Sequence, residues 1–220
     1  MVGSTKAHGD MDVKKSQEGS APMDRSEELR LVQKAKRQDA EAMRALIDAH
    51  KQRLFAFVWR MHRNHHDAEE ICQDAFLKAF AAIDSFNPDY RFSTWLFTIA
   101  YRVTLNTLRK KRAVSGEMDW TRCASSEPDA EHEYAASEEA SRLKEMIWQS
   151  VDKLSPAQRA TVLLFYKQQM GCQEIATILE TPIATVKSHL HRARAKLKDL
   201  LSPVLEEMSG SQRILGELAG

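Results

Sequence analysis

Apolar residues recur at steps of three and four through most of this chain and almost nowhere alternate strictly. That period predicts amphipathic helices rather than strands. Leu29, Val32 and Ala35 mark a short first helix that ends near Gln38. Asp39 can cap a longer one over 40–62, where Met43, Leu46, Ile47, His50, Leu54, Phe57, Val58 and Met61 trace the inward face. Residues 64–67 read as a turn. Asp67, followed by Glu70, has the form of a capping box with Asp in place of Ser or Thr. The helix it opens runs to about Asp84, with Ile71, Ala75, Phe76 or Leu77, Ala79 and Phe80 inward and Asp67, Glu69, Glu70, Gln73 and Asp74 on an acidic outer side. Residues 85–91, SFNPDYR, carry Asn-Pro-Asp and read as an ordered turn or loop. Ser93 or Thr94 then caps a fourth long helix, 94–112, which ends in a basic cluster.

The period fails over 113–137, where Gly, Ser, Pro and acids predominate, so this stretch reads as a linker. A second helical block begins near Ser137 with Leu143, Met146, Ile147 and Val151. Ser155-Pro156 supplies a cap and a first-turn proline for a helix through Gln168, and Gly171 a stop. Residues 173–198 then form two short helices broken at Glu180-Thr181-Pro182, with Thr181 as cap and Pro182 at the first helical position. Val186, Leu190, Ala193 and Leu197 give the second of these a buried stripe and leave Thr185, Lys187, Ser188, His191, Arg192 and Arg194 outside it. This is the pattern of a helix-turn-helix, whose second helix docks in the DNA major groove. A plain helical hairpin with a solvated basic face has the same pattern. The expected architecture is all-α: a disordered tail over 1–25, a helical domain over 26–112, the linker over 113–137, a second helical domain over 138–202, and a tail over 203–220 with at most a partial turn at 213–218.

Composition narrows the function. At 220 residues and 43% hydrophobic content, the chain can bury real cores in one or two domains. Its apolar runs are too short for a spanning helix and no signal peptide opens it, so the expected location is the cytoplasm. Cys72, Cys123 and Cys172 are far apart and fit reduced thiols there. The net charge of +1 is uninformative, but its distribution is not. Residues 102–112 hold five basic residues and no acid, as do residues 185–198, while residues 116–141 hold eight acids against Arg122 alone. His62, His65, His66 and Cys72 fall within eleven residues, yet without the spacing of a metal site. Cys72 and Cys172 as redox sensors are set against the ordinary role of a free Cys as a small buried hydrophobe. No nucleophile elbow, phosphate-cradling Gly loop or paired carboxylates occur, so no catalytic residue, metal or cofactor is expected.

Phe86, Tyr90, Phe92, Trp95 and Phe97 cluster just before a helix that presents Arg102, Asn106, Arg109, Lys110 and Arg112. Aromatics beside a basic helix are what holding unstacked bases while tracking phosphates requires, although Trp95 and Phe97 suit the core better. With these residues in hand, the chain resembles the extracytoplasmic-function (group four) sigma factors of bacterial RNA polymerase. Residues 67–80 (DAEEICQDAFLKAF) and 92–102 (FSTWLFTIAYR) look like that family's second sigma domain, and 154–159 (LSPAQR) with 173–197 look like its fourth. The match spans about 26–201 in the family's order.

The resemblance implies a non-enzymatic promoter-specificity subunit, with a stress or envelope response as its setting. Core polymerase would be met by Asp67, Glu70, Gln73, Asp74 and Lys78 at the clamp helices of the largest subunit, and by the fourth domain at the flap. Minus-ten DNA would be met by Ser85, Phe86, Asn87, Asp89, Tyr90 and Arg91 in the loop and by Arg102, Asn106, Arg109 and Lys110 on the helix. Minus-thirty-five DNA would be met by Thr185, Lys187, Ser188, His191, Arg192 and Arg194. His189 and His191 depart from the family pattern, so base preference does not transfer. An anti-sigma partner is also implied, with no membrane insertion of this chain itself. Residues 116–141 can extend ~85 Å and two turns of duplex span ~70 Å, so separately docked domains could hold both promoter elements. The linker's acids suit the polymerase's basic RNA path. The competing class is a stand-alone helix-turn-helix regulator. A recombinase lacks its catalytic constellation here.

Overall fold

Each helix is set by the capping and three-four spacing of its own sequence, and the departures occur where a distant residue intervenes. The structure, a computed structural model, describes residues 23–115 and 138–218. The tail before residue 23, Cys123 and the linker acids lie outside the described residues. Helix α1 (Arg25–Ala35) starts on Asp24, whose carboxylate accepts from the Ser26 amide at 3.0 Å. Helix α2 (Ala40–His62) starts on Asp39, which accepts from Ala42 N at 3.0 Å as its sequence predicts. It stops where Arg63 turns left-handed, with φ 61°. Helices α3 (His65–Ala81) and α4 (Phe92–Ser115) complete a four-helix bundle in which α2 packs on the other three. Its centre is Leu46, Leu54, Phe57, Phe92, Leu96 and Phe97, all withdrawn from solvent.

Two local expectations are corrected in this bundle, and one open alternative is settled. The cap of α3 is Asn64, whose Oδ1 accepts from Asp67 N at 2.9 Å, so His65 and His66 are helical and Asp67 sits in the first turn. An Asn side chain two residues after the end of α2 satisfies the orphan donor first. Phe76 is buried and Leu77 is 70% exposed, which settles which of the two faces inward. Helix α4 begins at Phe92 rather than Thr94, because Glu28 of α1 caps it. The Glu28 carboxylate, 2% exposed, accepts from the Phe92 and Ser93 amides at 3.3 Å each.

The second half contains α5 (Glu138–Asp152), α6 (Pro156–Val162), α7 (Cys172–Leu179) and α8 (Ile183–Leu218). Ser155 and Gln158 form a reciprocal capping box at the start of α6. The expected continuous helix through Gln168 instead widens into a π turn at Leu163–Lys167, where the Gln168 amide bonds back to Leu163 O at 3.1 Å. Glu180, at φ 52°, makes the bend between α7 and α8. Ile175, Ile178, Leu164, Val186, Leu190 and Ala193 bury the seam. Helix α8 runs on through Pro203 to Leu218, where a tail was expected. An internal proline removes one backbone donor and here does not end the helix.

The two halves are packed together rather than separate, with α4 against α7 and α2 against α6. Arg53 donates through Nε to Gln168 Oε1 at 3.0 Å and through Nη2 to Gln168 O at 3.1 Å, and Gln168 Nε2 returns a bond to Arg53 O at 3.3 Å. Arg63 lies 3.2 Å from Asp152. The Arg60 guanidinium sits 4.4 Å from the Trp59 centroid and 3.5 Å from that of Trp148. Burial pushes the Asp152 carboxyl up, and the neighbouring Arg63, Arg159 and Arg60 oppose that shift only in part. Apart from Arg60 with its neighbour Trp59, none of these pairings has a local sequence signal, because each joins residues from the two halves of the chain.

Candidate nucleic-acid interface

A short 3-10 turn, Ile83–Ser85, carries the chain from α3 into an exposed loop. Ser85 Oγ donates to Ala82 O at 2.7 Å, and Asn87 Oδ1 accepts from the Asp89 amide at 2.9 Å. The second contact is an Asx turn, which shapes the loop from within. Asn87, Asp89 and Tyr90 are exposed, Tyr90 to 48%. Phe86 and Arg91, expected to face DNA, are placed differently. Phe86 is 3% exposed, its ring 5.4 Å from Trp95 and 6.1 Å from Phe92, so it is a core residue under the loop. A ring this size buries more favourably against two aromatics than in water. Arg91 turns back, donating to Met23 O at 2.8 Å with its Nε 3.7 Å from Glu28.

Between α3 and α4 runs a groove of about 900 Å³. Trp95 and Ile99 form its apolar base, Arg102, Asn106, Arg109 and Lys110 one wall, and Asp74, Lys78 and Ser85 the other. All four residues of this wall, three cations and one amide, are exposed. Asn106 accepts from Arg109, and Lys78 pairs with Asp74. Arg102 is ion-paired with Glu180, the residue at the bend of the helix-turn-helix. An aromatic floor beside clustered cations and amides can stack a base and neutralise the phosphates on either side.

On the outer face of α3, next to the Asp74 and Lys78 wall of the groove, Glu70 and Gln73 are exposed beside Leu77. Asp67 is not on that outer face. Its side chain is 15% exposed, lies 3.2 Å from His62 Nδ1 and pairs with Lys111, tying α3 to the ends of α2 and α4. Burial, reinforced by Lys111, holds the His62 imidazole below its ordinary range despite Asp67.

In the second half, α8 presents Lys187, His191 and Arg192 to solvent, with Thr185 and Ser188 half-buried at their flank. Arg194 is exposed but turned aside, donating to Tyr166 OH at 2.7 Å with its guanidinium 5.7 Å from the Phe165 and Tyr166 rings. Burial and the charge of Arg192 push the His189 imidazole below its usual range.

The histidines and cysteine near the end of α2 diverge. His62 faces Asp67, His65 stacks edge-on to Phe55 at 5.0 Å, and Cys72 is buried in the core. Burial, with Glu69 nearby, pushes the Cys72 thiol up to about 12, which removes the thiolate a redox sensor needs. Among the described residues no three His, Cys, Asp or Glu side chains gather as metal ligands would. No described helix is long and apolar enough to cross a membrane.

Sequence reasoning missed the exposed Leu77, the buried Glu28 and the Tyr166–Arg194 contact. Only Leu77 had a signal, since 76 and 77 competed for one inward position. A buried Glu on a short polar helix has none.

Comparisons with known proteins agree with this geometry. Residues 46–114 match Sigma-70 region 2 and residues 144–197 match Sigma-70 region 4. The chain is 32% identical over 176 residues to the ECF RNA polymerase sigma factor SigW of Bacillus subtilis, covering 77% of this chain and 94% of that protein. It is 27% identical over 187 residues to the RNA polymerase sigma-H factor of Pseudomonas aeruginosa, covering 82% and 97%. Among solved structures, CnrH in complex with the cytosolic domain of CnrY gives a TM-score of 0.60 at 25% identity, over 80% of this chain and 98% of that one. The sigma factor RpoE bound to the anti-sigma factor NepR, from Bartonella quintana, gives 0.57 at 27%, over 68% and 89%.

Proposed function

This chain belongs to the ECF sigma factors of RNA polymerase, and from that membership we propose how its surfaces divide the work of initiation. The observation that carries the proposal is the groove between α3 and α4, apolar at its base and cationic along α4. Displaced minus-ten bases are captured by the exposed loop residues Asn87, Asp89 and Tyr90 and by this groove, while Arg109 and Lys110 neutralise the strand's phosphates. Ser85 lines the loop side. Phe86 and Arg91 support the loop from beneath. The outer face of α3, with Glu70, Gln73 and Leu77, docks on the clamp helices of the polymerase's largest subunit, and the second helical domain docks on the flap. Helix α8 enters the major groove at the minus-thirty-five element with Thr185, Lys187, Ser188, His191 and Arg192. Nucleotide addition is left to the polymerase.

The division into a domain over 26–112 and another over 138–202 follows from this assignment. The packed arrangement is then one that promoter engagement opens, because α4 and α8 must separate to reach elements ~70 Å apart. Arg102 exchanges Glu180 for a phosphate at that point. The exposed pairing of Arg102 with Glu180, at 58% and 53% side-chain exposure, presents little barrier to that exchange. The complex of the Bartonella quintana sigma factor with NepR supports an anti-sigma partner for this chain as well.

The test is Arg192→Ala in holoenzyme on promoters selected by the wild type. If Arg192 contacts a base edge, promoter affinity falls by about 1–3 kcal/mol and the preference at one position relaxes. A loss uniform across all sequences makes Arg192 a phosphate contact, and no loss removes α8 from minus-thirty-five recognition.

A further inference from the structure

Helix α1 precedes the stretch that matches region 2, yet it and its flanks hold the loop over 84–91 from end to end. Lys36 Nζ donates to Asp84 O at 3.2 Å and to Phe86 O at 3.5 Å, at the loop's entry. Arg25 Nη2 donates to Asp89 O at 3.1 Å and to Pro88 O at 3.3 Å, at its crest. Met23 O receives Arg91, and Glu28 receives the first two amides of α4, at its exit. A loop with only its own Asx turn would sample many shapes. Here carbonyls at four of its positions and both amides beyond it are held by one neighbouring helix and the Lys36 that follows it.

Glu28 is the centre of this arrangement. Besides the two amides, its Oε1 lies 3.2 Å from His50 Nε2 and its Oε2 3.7 Å from Arg91 Nε. Burial pushes this carboxyl up, but His50, Arg91 and the Ser93 amide outweigh burial and hold it below its usual range. An ionised buried carboxylate is kept only where such donors surround it. A purely structural pair could have been replaced by apolar residues at little cost, whereas this one fixes where the loop ends and α4 begins.

We propose that α1 is a positioning element for strand capture. Arg25 and Glu28 hold the backbone of the loop in its base-accepting shape before DNA arrives, so that no binding energy is spent on ordering it. This rests on the assignment of minus-ten capture to the loop. It implies that α1 governs affinity for the displaced strand, while polymerase and duplex contacts are made elsewhere.

The experiment uses full-length chain assembled with core polymerase. The readouts are the Kd for a single-stranded minus-ten oligonucleotide, the rate of promoter opening, the affinity for core, and the affinity for minus-thirty-five duplex. Arg25 is exposed, so Arg25→Ala tests the brace without endangering the core. Glu28→Gln, the conservative variant, tests the buried end. Each is expected to weaken single-strand binding by about fivefold to tenfold and to slow opening in proportion, with core and duplex affinities unchanged. Arg25→Lys, which keeps a donor for the loop carbonyls, should recover part of the loss. Unchanged single-strand binding and opening in Arg25→Ala overturns the proposal, as does an equal loss at all four readouts. Tyr90→Ala separates the two layers. If it impairs single-strand binding while the α1 variants do not, the brace fails and the loop assignment stands. If it too has no effect, the loop assignment fails and the brace with it.

Discussion

Phe92→Ala is expected to remove about 3–5 kcal/mol from the stability of the first helical domain, the usual cost of deleting a large ring from a close-packed core. Phe92 is wholly buried, with its ring centroid 5.6 Å from His50, 5.8 Å from Trp95 and 6.1 Å from Phe86. The substitution leaves the backbone amide for Glu28 but empties the space that separates α1, α2 and the loop. Small domains have only about 5–15 kcal/mol to lose, so the variant should unfold at markedly lower denaturant concentration. Tyr90→Ala, two residues earlier and half-exposed, should change stability by no more than about 0.5 kcal/mol. Denaturant titration followed by circular dichroism checks both. A loss below 1 kcal/mol in Phe92→Ala would mean that the ring is not packed as described.

Leu77→Glu should weaken the affinity for core polymerase by about tenfold to a hundredfold while leaving the fold intact. Leu77 is 70% exposed on a helix whose other faces are accounted for, and it stands among the polar side chains Gln73, Asp74 and Lys78. A large apolar side chain left in water costs the free chain something that a docked partner recovers. Buried apolar anchors within a polar rim are where interface energy concentrates, and a carboxylate there would be desolvated without a partner. Titration of labelled chain against core, together with a melting curve for the variant, separates interface loss from unfolding. Unchanged affinity would move the docking surface elsewhere on α3.

What the sequence showed and what it hid divide along a physical line. Helix positions were legible because three-four spacing and local caps act within a few residues. Asp39, the Ser155 cap with its first-turn proline and the Val186, Leu190 and Ala193 stripe are all found as read. The Asn64 cap was missed because Asn64 stood in a stretch read as a turn, while Asp67 with Glu70 three residues on had the form of a cap. The start of α4 was missed because its cap comes from Glu28, 64 residues away. The exposed basic positions Arg102, Arg109, Lys110, Lys187 and Arg192, with the amide of Asn106 among them, were legible as the outer faces of their helices, whereas the inward turns of Asp67, Phe86 and Arg91 depended on partners from other elements. The packing of the two halves was invisible for the same reason. It rests on pairs such as Arg53 with Gln168, 115 residues apart.

The central claim is that this chain directs core polymerase to promoters rather than acting on duplex DNA by itself. Its most direct test is transcription in vitro from genomic fragments, with purified core polymerase supplied with and without the full-length chain. New transcripts should appear only when both are present, each starting at a fixed distance downstream of two shared sequence elements, and the chain alone should retain almost no duplex. Specific, tight retention of duplex by the chain alone, with no new start sites when polymerase is added, would contradict it.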